Sequence, residues 1–161
     1  MASEAKPLGA GYEMTLTRTF DAPPAMVFAC FTDPDHLARW WGPADCENVI
    51  HVLDVRPGGE IKLHMAGPGW GGHMMGGEYV EIDPPHRLVF LTKAFEAPDG
   101  GWGIVNRNTV TLEEAEGGGT RMTLHTLVER AEGALVLGAL GGMKQGWSQS
   151  LDRLAEFVRG R

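Results

Sequence analysis

The chain has 161 residues, with 14 Lys and Arg against 21 Asp and Glu, for a formal charge of −7. That length suits one domain with a real core, and the acidic balance argues against a nucleic-acid partner, which needs clustered cations. No apolar run approaches the roughly 20 residues of a membrane span and no secretory h-region opens the chain, so no membrane insertion is expected.

Residues 1–11 are small and polar and read as a disordered tail, leaving 12–161 as a single domain. MTLTRTFDA (14–22) alternates as a strand does, and Asp21, Pro23 and Pro24 end it. Pro is favoured in the first helical turn, so a helix starts near Pro24, with Val27, Phe28 and Phe31 on one face. Asp33-Pro34 is an N-cap followed by a first-turn proline, which opens a second short helix, DPDHLARWW, stopped by Gly42-Pro43.

From Asn48 to Glu129 the period changes to two. Six strands follow, each closed by a turn: NVIHVLDV, EIKLHMA, HMMGGEYVEI, RLVFLTKAF, GIVNRNTVTLEE and TRMTLHTLVE. Short turns between consecutive strands imply an antiparallel meander. Asp54 and Arg56 read as stabilisers of the turn at Pro57-Gly58-Gly59. The period then returns to helical. Val136, Leu140, Met143, Trp147, Leu151, Leu154 and Phe157 form one face of a helix some six turns long, with Asp152, Arg153, Glu156 and Arg159 opposite.

Gly67, Gly69 and Gly72 spell G-x-G-x-x-G, the spacing that cradles a dinucleotide. Such a fingerprint must open a helix. Here it runs into the strand GEYVEI, and Pro68 lacks the backbone N–H a phosphate needs. The glycines instead read as a pliable connection carrying Trp70, His73, Met74 and Met75. Each interior glycine costs a helix roughly 1 kcal/mol against alanine, so Gly138, Gly141, Gly142 and Gly146 suggest a half-helix that frays, kinks or lets a ligand lie close to its backbone. Residues 133–146 with the loop 66–75 are expected to form a mobile gate.

The segments FDAPPAMVFACFTDPDHLARWWGP (20–43), DVRPGGEIKLHM (54–65), GGEYVEIDPPHRLVF (76–90), GGGTRMTLH (117–125) and GWSQSLDRLAEFV (146–158) together carry a resemblance. The chain resembles the START-like (SRPBCC) superfamily with the helix-grip fold, in the branch named for the activator of heat-shock protein 90 ATPase and related to polyketide cyclase-like proteins. The resemblance implies an α+β helix-grip fold. A curved antiparallel sheet of six to seven strands wraps a long C-terminal helix, and two short helices lie between strands 1 and 2. It also implies a mostly apolar cavity between sheet and helix.

Strand alternation selects the cavity side. On their strands Ile61, Leu63 and Met65 share the inward face, as do Leu88, Phe90 and Thr92, then Asn106, Asn108, Val110 and Leu112, and then Met122, Leu124 and Thr126. Asn106, Asn108 and Thr126 are the polar groups expected to orient a ligand. Of the adjacent Trp40 and Trp41, one should pack in the core and the other reach the rim. The expected ligand contacts are Trp40, Trp41, Leu63, Met65, Trp70, Met74, Phe90, Asn106, Asn108, Met143, Trp147 and Ser150.

Six histidines invite a metal, but there is no H-x-x-x-H helix and no Cys/His cluster, so neither a metal nor a cofactor is expected. His64 and His125 fall on the outer face. The carboxylate pairs Glu78/Glu81 and Glu113/Glu114 read as solvated charges, and no catalytic set is recognisable. Cys30 and Cys46 have no C-x-x-C spacing, in keeping with a reducing, cytoplasmic setting. The favoured expectation is binding of a small hydrophobic or amphipathic molecule. The alternatives are a cyclase- or hydrolase-type enzyme acting on such a ligand, or a co-chaperone-like interaction module. Apolar residues such as Val89 and Leu91 on the outer face would suit a homodimer.

Overall fold

The computed structural model describes residues 10–43, 45–68, 72–96, 101–132 and 140–159. Among them run β1 (Glu13–Phe20), α1 (Pro24–Thr32), α2 (Pro34–Trp40), β2 (Glu47–Leu53), β3 (Glu60–Ala66), β4 (His73–Asp83), β5 (Arg87–Glu96), β6 (Trp102–Glu114), β7 (Thr120–Ala131) and α3 (Met143–Arg159). The strands form one antiparallel sheet in the order β1-β7-β6-β5-β4-β3-β2. The meander thus supplies six neighbouring strands, and β1 adds a seventh beside β7. Gly11 already donates its N–H to the Val128 carbonyl at 2.8 Å, so the chain is held before Tyr12.

Local chemistry sets the helix ends. Asp33 closes α1 and caps α2, its carboxylate accepting from Asp35 N at 2.9 Å and His36 N at 3.3 Å. Pro24 and Pro34 occupy first-turn positions where a missing N–H costs nothing. In the turn after β2, Arg56 Nε meets Asp54 Oδ2 at 2.7 Å, and Gly58 N donates to Tyr79 O at 2.7 Å.

One apolar core fills the concave side. Leu151, Leu154 and Val158 of α3 are buried against Phe20, Val27, Leu112, Met122 and Leu124. Trp40 is fully buried and donates its indole N–H to the Cys30 carbonyl at 2.9 Å, while Tyr79 Oη donates to the Phe31 carbonyl at 2.9 Å. Both large side chains therefore bury their rings with the polar end satisfied. That burial also pushes the Tyr79 phenol well above its ordinary range.

Three expectations change. The long helix is broken: Leu140 and Gly141 are helical, Gly142 interrupts, and α3 starts at Met143. Val136 and Gly138 lie outside the described residues. Val89, expected on an open outer face, is only 4% exposed, so of that apolar pair Leu91 alone is partly open. Of the two readings of His73, Met74 and Met75, the strand HMMGGEYVEI holds and the loop 66–75 does not, since all three belong to β4. No helix is long and apolar enough to cross a membrane among the described residues.

Candidate functional site

The tight packing of α3 ends at Leu151. N-terminal to it the helix presents Ser150, Trp147, Gly146 and Met143, and the space beneath is a cavity of about 410 Å³. Trp41, Gly42 and Pro43 wall it from the turn after α2, and Met65 from β3. His73 and Met75 of β4, Thr92, Lys93, Ala94 and Phe95 of β5, and Ile104 and Asn106 of β6 complete it. A cavity of this size, apolar with a few polar groups, is the usual form of a small-molecule site.

Trp41 is the dividing wall. Its ring meets Trp147 edge-on at 5.2 Å and Phe90 at 6.4 Å. Behind it a space of about 10 Å³ is enclosed by Phe31, Leu37, Ile61, Leu63, Tyr79 and Phe90, with Trp41 and Met75 lining both. That inner void is about one water in size.

The turn carrying Trp41 is held from α3. Ser150 Oγ donates to the Gly42 carbonyl at 2.9 Å, with Gly146 O a second acceptor at 3.1 Å. Arg153 directs Nη1 at the carbonyls of Trp41, Gly42 and Pro43, at 2.8, 3.2 and 3.0 Å. Its Nη2 reaches Arg39 O at 3.1 Å and Cys46 O at 3.0 Å. The guanidinium therefore satisfies carbonyls at and just beyond the end of α2, where the helix dipole favours a cation. Burial pushes the Cys46 thiol up, against the opposing pull of Arg153.

The polar groups differ in what they have left to offer. Asn106 is 9% exposed, and its Nδ2 makes a weak contact to Met143 Sδ at 3.7 Å. Its Oδ1 is buried with no hydrogen-bond partner among the described residues. Asn108, by contrast, is fully spent. It donates to Phe90 O at 3.3 Å and to Thr92 Oγ1 at 3.1 Å, and it accepts from Thr126 Oγ1 at 2.9 Å.

At the mouth, the His73 ring stacks on Phe95 at 5.9 Å. Partial burial of the ring, and then the nearby His64, lower its pKa from the ordinary 6.5. Phe95 has φ +61°, a conformation that a bulky residue rarely adopts and that costs of order 1–3 kcal/mol. The kink turns Phe95 to the cavity beside Ala94, where strict alternation would send it away.

Of the predicted contacts, Trp41, Met65, Asn106, Met143, Trp147 and Ser150 converge on the cavity. Leu63 and Phe90 face the small inner void, and Trp40 is sealed in the core. Met74 and Asn108 do not line either space. Met75, on the opposite face of β4, takes the place given to Met74, and Asn108 and Thr126 satisfy each other. Trp70 lies outside the described residues, as do 133–139 of the expected gate. His125 bonds Glu13 at 2.9 Å away from the cavity. Sequence reasoning did not expect Gly42, Pro43, His73, Lys93, Ala94, Phe95 or Ile104 as contacts, whereas Gly146 lines the cavity where a ligand was expected to lie close to the helix. Period two alone would have found Ala94 and Ile104, which stand in step with Thr92 and Asn106.

A family model described as Activator of Hsp90 ATPase homolog 1-like protein matches residues 21–159. The chain belongs to that family. Its sheet and gripping C-terminal helix are those of the START-like superfamily. A solved protein from Chromobacterium violaceum is similar, at TM-score 0.77 and 26% identity over 91% of this chain and 96% of that one. A solution structure from Arthrobacter aurescens is similar at TM-score 0.79 and 26% identity, covering 92% of this chain and 87% of that one. The AHSA1 protein from Silicibacter pomeroyi shares the fold at TM-score 0.74 and 23% identity, over 92% and 98% of the two chains. No curated protein matches the sequence.

Proposed function

We propose that this protein binds a small hydrophobic or amphipathic molecule in the cavity between the sheet and α3. The observation that carries the reading is the 410 Å³ space walled by Trp41, Met65, Met75, Ile104 and Trp147. A cleft of that size, open to solvent and lined mostly by apolar side chains, gains free energy when an apolar ligand replaces the water in it. The interrupted start of α3 and the positive φ of Phe95 put irregular backbone beside this space, which supports an entry route there. The buried Cys30 and Cys46 thiols suit a reducing compartment, and on this reading the protein works in the cytoplasm.

Native mass spectrometry of the purified protein, set against its denatured mass, tests the reading. Excess mass per chain is the expected result and would identify the cargo; the same spectrum counts subunits and so tests the homodimer. A bare chain that also takes up no added apolar compound would overturn it.

A further inference from the structure

We infer that Met75 limits the length of ligand this site takes, and that the ligand is an amphipathic molecule lying with one slender alkyl tail inward. The inference rests on the ligand-site reading and adds to it the tail's direction and the residue that stops it.

The cavity and the inner void of about 10 Å³ meet at a partition. Among the described residues only Trp41 and Met75 line both spaces. Trp41 is fixed in place. Its ring lies edge-on to Trp40 at 5.6 Å and to Trp147 at 5.2 Å. Its carbonyl accepts from Asn48 Nδ2 at 2.7 Å and from Arg153 Nη1 at 2.8 Å. Met75 is held by packing, an unbranched apolar side chain buried in the core cluster. It is therefore the part of the partition that a substitution can remove without stripping a hydrogen bond.

The chemistry of the inner end sets the orientation. Phe31, Leu37, Ile61, Leu63 and Phe90 enclose that end, and the Tyr79 hydroxyl is already donated to the Phe31 carbonyl at 2.9 Å. A polar head group there would lose its water without gaining a partner, a cost that an alkyl end does not meet. At the mouth, where His73 reaches solvent, a head group keeps its water. The inner void, about one water in size, cannot take the Met75 side chain and a ligand tail together. A molecule longer than the cavity therefore stops at Met75 and leaves its far end in solvent.

The test is calorimetric titration at pH 7.5 with 4-alkylphenols from ethyl to octyl, on the wild type, Met75→Ala and Met75→Val. Wild-type affinity should rise about fourfold per methylene while the molecule gains buried surface, and then level off within the series. Met75→Ala joins the two spaces, so its affinities should level off about two methylenes later, with Met75→Val between. A hydroxyl added to the tail end of 4-butylphenol should weaken wild-type binding by about tenfold or more. A wild-type series that rises through octyl, a plateau at the same length in the variants, or a hydroxylated tail that binds equally well would overturn the inference while leaving the cavity reading intact. If no phenol binds the wild type, that reading fails and this inference with it. Should neither variant fold, the methyl signal of Met75 in wild-type NMR spectra decides: it should move with 4-hexylphenol, and an unmoved signal would overturn the assignment.

Discussion

Ser150 Oγ and the Gly42 carbonyl lie 2.9 Å apart, though 108 positions separate them in the chain. This bond joins the cavity-facing side of α3 to the turn that positions Trp41. Gly42 O keeps a second donor, Arg153 Nη1 at 3.2 Å, so removal of the hydroxyl leaves no orphan. Ser150→Ala should therefore lose only about 1 kcal/mol of stability. Urea denaturation would measure it, and a loss several times larger would mean that Ser150 holds more than this one turn.

Arg153 is the stronger tie, with five carbonyls within 3.2 Å of its two Nη atoms. A lysine is a point donor and cannot span that fan. Arg153→Lys should cost about 1.5–3 kcal/mol, the range for hydrogen bonds to a charged group. Because Ser150 and Arg153 share Gly42 O, the double variant should depart from additivity by about 0.5 kcal/mol or more. Strict additivity in a denaturation cycle would show that the two act on separate structures.

Gly77 has no room for a side chain. A Cβ built there overlaps the Leu91 carbonyl oxygen, a backbone atom that cannot rotate away. Gly77→Ala should destabilise by about 3 kcal/mol, at the upper end of overpacking. Unchanged thermal unfolding in that variant would mean that β4 and β5 pair differently.

His73 gives a pH signature. Its folded pKa lies below the ordinary 6.5, so as pH falls the unfolded chain takes up the proton first. The stabilising contribution is full above pH 6.5 and is lost as pH drops towards the folded value. Denaturant midpoints from pH 7.5 to 5 should fall more steeply for the wild type than for His73→Gln. Parallel curves would place the ring in open solvent.

The strands and their turns were legible because burial on one face imposes period two, and Asp33 was legible because an N-cap is a local bond. Allocation of hydrogen bonds across the sheet was not. Asn106 and Asn108 have identical pattern positions, yet Thr126 and Thr92 reach only Asn108. Arg153 reads as a solvated residue on the polar side of a helix, and only the return of the α2 turn, about 110 positions away, shows what it holds. Phe95 was hidden for a third reason: a single positive φ defeats the alternation that places its neighbours.

Gly146 sits in the first turns of α3, lines the cavity, and among the described residues has nothing within 4 Å of the place where a Cβ would stand. Alanine there should steady the helix by about 1 kcal/mol while projecting a methyl group into the void. Folding and the proposed binding thus pull in opposite directions at one position. Gly146→Ala should unfold at higher urea yet bind a small apolar compound such as 4-butylphenol less tightly, and equal affinity would show that this corner of the cavity is never occupied. Successively larger residues at 146 would act as a volume dial, resizing the chamber from the helix side while every strand pairing stays as it is.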